Sequence, residues 1–128
     1  MAAVRDDEAM AHAGLAAPEI QAQLLAEALA GASVGVLVWD DDRRYIAANA
    51  AACSILGTTL EELLGQRVGG HTRDADEPIE RALRAGNVAG RATVARFDGS
   101  GSIEVSYLTF TTRTAGMPFM ATIIWRAD

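Results

Sequence analysis

Few residues of this 128-residue chain have the type and setting to do chemistry. His71 follows two glycines in Gly69-Gly70-His71, a turn-forming loop. An imidazole there can ligate a metal or titrate near neutrality, but a solvated loop histidine needs no partner at all. His12 lies among alanines and acids near the N-terminus and carries no such setting. Cys53 is the single cysteine. A free thiol is reactive only in a cationic, exposed environment and otherwise packs as a small hydrophobe. Asp40, Asp41 and Asp42 gather three carboxylates, but the calcium-loop spacing is absent, with no Gly at the sixth position and no Glu at the twelfth. They read as a solvated hairpin turn. Glu104 is the one acid in the middle of the C-terminal strands, so it alone could serve as a buried general base. Trp39 and Trp125 could stack on a flat cofactor, although in strands they more commonly fill a core. Nothing matches a phosphate loop, a zinc site or a nucleophile elbow, and Gly99-Ser100-Gly101 is hairpin chemistry.

The elements that would position these residues are legible. Val34 to Trp39 is an apolar, β-branched run; Asp40 to Arg44 is a turn, and Tyr45-Ile46 begins a second strand. Asn49 is placed to cap the helix that follows, and Gly57 to end it. Thr58 with Glu61, or Thr59 with Glu62, fits a capping box for the next helix, which Gly65 closes. Gln66 to Asp76 reads as loop or broken turns. A helix starts near Asp76-Glu77-Pro78, with Ile79, Ala82 and Leu83 on its inner face and Gly86-Asn87 at its end. Val88–Phe97, Ser102–Thr112 and Met117–Arg126 follow as three strands of an antiparallel meander, joined by turns at Asp98–Gly101 and Ala115-Gly116. On the middle strand Ile103, Val105 and Tyr107 point one way and Leu108 and Phe110 the other. Phe119, Ile123 and Trp125 oppose Met120 and Ile124 on the last. A sheet that is apolar on both faces needs cover on both. Upstream, residues 1–16 read as a flexible Ala-rich segment, and Pro18 opens a helix that Gly31 ends. Glu19, Gln23 and Glu27 form its polar stripe; Leu24, Leu25, Ala28 and Leu29 fill the opposite arc. So short a helix is marginal alone and must dock on its own domain or on a second copy.

The length suits one domain, and half of the residues are apolar, enough for a core. The net charge of −6 argues against a nucleic-acid surface, which needs clustered cations. One cysteine forms no internal disulfide. No apolar run reaches the roughly 20 residues of a bilayer span, and the N-terminus lacks a signal-peptide pattern. The expectation is a cytoplasmic protein with no membrane partner.

The order of motifs from Val34 to Gly65 resembles a PAS domain. The matching residues are a strand ending in Asp40, a second strand reaching Asn49, Cys53 before Leu56-Gly57, and the acidic helix Glu61-Glu62-Leu63-Leu64-Gly65. More loosely, the resemblance runs to the C-terminus. It implies an α+β PAS fold: a five-stranded antiparallel sheet in the order 2-1-5-4-3, short helices over one face and a cavity between them. The domain division it suggests is a flexible segment at 1–16, an amphipathic dimerisation helix at 17–31 and a core at 32–128. Ile55, Ile79, Leu83, Val94, Tyr107, Thr122 and Ile124 are then the expected cavity lining, with Tyr107 and Thr122 to orient a small apolar ligand. Haem-binding relatives use a histidine on the long helix after the second glycine; His71 precedes that helix and is the only counterpart. Flavin photosensors use a cysteine in Gly-Arg-Asn-Cys-Arg-Phe-Leu-Gln, where this chain has Gly65-Gln-Arg-Val-Gly-Gly70. No cofactor is therefore assigned.

The resemblance implies a non-enzymatic sensory or regulatory module that binds a small ligand, or dimerises through the N-terminal helix and a sheet face, to signal to an effector protein. Family members often continue into a kinase, cyclase or DNA-binding module, and these 128 residues contain none. The first alternative is a ligand-free homodimeric scaffold with a filled core. A ketosteroid-isomerase-like enzyme is the second, and it requires Glu104 to be buried in a pocket.

Overall fold

A computed structural model describes residues 14–114 and 116–127. Most of the 1–16 segment, with His12, lies outside those residues. The chain divides into two units, residues 1–31 and 32–128. The first contains helix α1, Pro18–Ala30, with proline in its opening turn, where a missing N–H costs nothing. None of its residues is buried, and Ile20, Leu24, Leu25 and Leu29 are all well exposed.

The second unit is one antiparallel sheet with helices inserted after its first hairpin. Its elements are β1 (Gly35–Trp39), β2 (Tyr45–Ala48), α2 (Ala50–Leu56), α3 (Leu60–Leu63), α4 (Asp76–Ala85), β3 (Asn87–Ala95), β4 (Ser102–Thr114) and β5 (Met117–Arg126). The strand order is β2-β1-β5-β4-β3, the order expected from the resemblance. β1 to β2 turns through Asp40, whose Oδ1 accepts from the backbone N–H groups of Asp42 and Arg44. β3 to β4 turns through Asp98 and Gly101, and β4 and β5 pair from Val105↔Arg126 to Thr114↔Met117.

Local chemistry sets the helix ends. Asn49 Oδ1 accepts from Ala52 N–H at 3.0 Å and from Val36 N–H at 2.9 Å, while Nδ2 donates to the Val34 carbonyl. One amide thus caps α2 and ties it to β1. Gly57, at φ 70°, ends α2 in the left-handed conformation. Of the two capping-box registers, Thr59 with Glu62 is formed: Thr59 Oγ1 accepts from Glu62 N–H at 3.2 Å. Gly35 allows β1 to touch α2, since a Cβ there would sit 2.7 Å from Ile124 Cγ1 and 2.8 Å from Ala52 Cα.

Residues 66–73 form more than a loop. Near one end, Tyr45 N–H donates to the Gln66 carbonyl and Val68 N–H to the Arg43 carbonyl. At the other, Arg73 N–H donates to the Thr93 carbonyl and Ala95 N–H to the His71 carbonyl. β2 and β3 are the two edges of the sheet, and this single strap satisfies backbone groups on both. The sequence shows no strand pattern here because the strap makes only a few bonds at each edge.

Candidate functional site

The inner face of the sheet carries Leu37, Trp39, Val88, Val94, Val105, Met120 and Ile124, all buried. They do not fill one continuous core. One cluster gathers Leu37, Ala52, Ile55, Leu56, Leu63, Val94, Val105 and Ile124; the other gathers Trp39, Ile79, Ala82, Val88 and Met120. Tyr45 and Tyr107 pack against both. A cavity of about 510 Å³ lies among these residues, bounded by the sheet, α4 and the strap. That volume falls within the usual range of small-molecule sites.

Six of the eight residues singled out from sequence line this cavity: His71, Ile79, Val94, Tyr107, Thr122 and Ile124. Two do not. Ile55 is buried in the first cluster, and its neighbour Leu56, about 100° further round α2, reaches the cavity instead. Leu83 is 43% exposed. Ile79 and Ala82 turn inward from α4, and the next residue is rotated off that face.

The polar groups of the cavity are few. Trp39 Nε1 donates to Thr122 Oγ1 at 2.9 Å, and Thr122 Oγ1 is 2.8 Å from Thr109 Oγ1. The hydroxyls of Tyr45 and Tyr107 make no hydrogen bond among the described residues. Burial pushes the Tyr45 phenol up to about 12. It also raises that of Tyr107, with Arg81 acting against the shift and Glu77 adding to it. The Tyr107 phenol lies over Gly90, its oxygen 3.1 Å from where a Cβ would be, so the missing side chain in β3 makes room for the ring.

The strap side is more polar. His71 is exposed, with its ring stacked flat on Phe97 at a centroid distance of 3.8 Å, and it serves as part of the cavity wall. Arg67, Arg73 and Asp74 are exposed. So is Glu104, which accepts from Thr93 Oγ1 at 3.4 Å. A general base in an apolar pocket must be buried, so Glu104 does not meet the enzyme reading. The cluster Asp40, Asp41 and Asp42 lies outside the cavity, and Asp40 Oδ1 is engaged by the turn. Burial, then the nearby Glu61 carboxylate, raises the Cys53 thiol, the opposite of what a reactive cysteine needs.

Sequence reasoning weighed Trp39 as a stacking surface but not as a hydrogen-bond donor, and missed Thr109 and the strap. Alternation with Val105 and Tyr107 already placed Thr109 on the inner face of β4; only the partner strand shows that its hydroxyl meets Thr122.

Residues 29–115 match the family described as PAS fold. No curated protein matches the sequence. Among solved structures, the chain is similar to the PAS domain of a protein from Colwellia psychrerythraea, at 17% identity and TM-score 0.72, covering 84% of this chain and 97% of that one. A domain of a sensory box sensor histidine kinase/response regulator from Geobacter sulfurreducens matches at 20% identity and TM-score 0.72, covering 87% and 98%. The PAS domain of an HTR-like protein from Haloarcula marismortui matches at 20% identity and TM-score 0.70, covering 85% and 99%.

Proposed function

This chain belongs to the PAS-fold family, a family of sensory and regulatory modules, and we propose that it senses a small apolar molecule held between the two clusters of its core. The observation that carries this reading is the cavity of about 510 Å³ bounded on one side by a strap bonded to both sheet edges. Occupancy would favour arrangements in which the strap, β2 and β3 are held together, and so shift an equilibrium already present in the free protein. An effector that reads the edges or termini of the sheet would respond to that shift.

The test is native mass spectrometry with an absorbance spectrum of the same purified sample. A native mass above a whole number of chains, lost on denaturation, supports the ligand reading. A Soret band abolished in His71→Ala would assign haem to the His71 edge. A colourless protein without added mass, and unable to take up any apolar compound, contradicts the reading.

A second reading is a homodimeric scaffold, and two apolar surfaces favour it. On the outer face of the sheet Leu108 pairs across from Ile123 and Trp125 lies nearby, with Leu108 and Trp125 exposed. Helix α1 presents Leu24, Leu25 and Leu29. Pairing of two copies through these surfaces would bury them. Leu25→Glu with Trp125→Glu would then convert a dimer into monomers in sedimentation, and an unchanged mass would set this reading aside.

A further inference from the structure

The polar wall of the cavity ends in a proton that has no acceptor among the described residues. Trp39, Thr109 and Thr122 bring three donor hydrogens to two hydrogen bonds, Trp39 Nε1 to Thr122 Oγ1 at 2.9 Å and the 2.8 Å contact between the threonines. If Thr122 donates to Thr109, the Thr109 hydroxyl proton is left over; if Thr109 donates, the Thr122 proton is left over. Neither threonine hydroxyl makes a further hydrogen bond among the described residues. Both line the cavity; Thr109 is only 5% exposed and Thr122 is half-buried. Donation from the indole into Thr122 polarises that hydroxyl and strengthens it as a donor. A buried donor without a partner is costly, and a ligand acceptor would relieve that cost.

The charge around the site narrows the acceptor. Among the described residues the arginines that line the cavity, Arg67, Arg73 and Arg91, are all exposed, and none is hydrogen-bonded to the threonine pair. A carboxylate carried to the threonine pair would be buried without a counter-ion, which is far less favourable than burying a neutral oxygen. Around the threonine pair the buried lining, Leu37, Trp39, Val105 and Ile124, is aliphatic and aromatic. We infer that the cavity takes a neutral, mainly apolar molecule whose carbonyl-class oxygen accepts from the Thr109–Thr122 hydroxyl pair. This rests on the cavity being a ligand site, as proposed above.

The experiment is calorimetric titration of the full chain with three matched probes: 2-acetylnaphthalene, 2-ethylnaphthalene and 2-naphthoate. They share one ring system and differ in carrying a ketone, a methylene or a carboxylate. The ketone is expected to bind about tenfold more tightly than the ethyl compound, the value of one well-made neutral hydrogen bond, with the carboxylate weakest. In the Thr109→Val/Thr122→Val double variant the ketone should lose that advantage while 2-ethylnaphthalene keeps its affinity. Equal binding of ketone and ethyl compound in the wild type overturns the inference and leaves the cavity a ligand site. So does a ketone preference that survives the double variant. Tightest binding by 2-naphthoate, which would place the ligand's charge at the strap arginines, overturns it as well. If none of the three binds, both this inference and the reading of the cavity as a ligand site fail. The wild-type ranking decides on its own should the double variant not fold.

Discussion

The two apolar clusters under the sheet share β1 and β5 and both line the cavity, yet the first is fastened against α2 and the second meets the strap. In the first, Gly35 brings β1 against Ala52 of α2 with no room for a methyl group, and Asn49 fastens the same two elements. In the second, Trp39, Ile79, Ala82 and Val88 stand around the cavity, and a strap of irregular backbone forms another part of its wall. The difference teaches where rigidity is needed. A site that admits a ligand requires one wall that holds its shape and another whose bonds are few enough to part.

Four substitutions or conditions probe that contrast. The largest effect is expected from Gly35→Val, which forces a branched side chain into contact with Ile124 and Ala52; denaturant melts should show a loss of about 3 kcal/mol. A loss under 1 kcal/mol would mean the first cluster is as yielding as the second. Next is alkaline pH. The Tyr45 phenol is near 12 in the folded protein against about 10 unfolded, so deprotonation favours the unfolded chain. Its contribution is intact below pH 10 and is lost as pH rises toward 12, about 2–3 kcal/mol in all. Tyr45→Phe should flatten that part of the stability profile, and an unchanged slope would place the phenol in solvent.

Asn49→Ala removes the α2 cap and the bonds to Val36 of β1 and to Val34 just before it, at a cost of about 2 kcal/mol. Asn49→Asp keeps the accepting oxygen and loses the donor to Val34, so it should cost less; the reverse order would mean the amide N–H matters most. The smallest effect belongs to the strap. Gly69 has φ 82°, and a Cβ there would lie 2.7 Å from Ile79 Cδ1 and 2.8 Å from Ala75 Cβ. Because the nearest atom, Ile79 Cδ1, ends a flexible side chain, Gly69→Ala should cost only about 1–2 kcal/mol while weakening ligand uptake. A cost matching that of Gly35→Val would make both halves equally rigid.

The same contrast explains what was legible beforehand. Asn49, Gly57, Thr59 and Gly86 act within a few residues of themselves, so the chain announces the ends of α2, α3 and α4. The alternation on β4 and β5 put Tyr107, Thr122 and Ile124 on the inner face, where the structure places them. Residues 66–73 were read as loop because their bonds run to Arg43, Tyr45, Thr93 and Ala95, partners that local pattern does not reveal. Leu83 was taken for an inner residue by its spacing from Ile79, but how far α4 rolls on the sheet is fixed by packing. The threonine pair depends on the register of β4 against β5, Thr109↔Thr122, which neither strand states alone.

The most direct test of the central claim is amide hydrogen exchange with and without saturating 2-acetylnaphthalene, comparing the strap bonds with the first cluster. With a ligand held behind the strap, the amides of Arg73, Ala95 and Val68 should become about tenfold more protected, while Ala52 and Asn49 change little. Ligand bound at full occupancy without added protection of the strap amides would contradict the account, and would place the ligand on another surface of the protein.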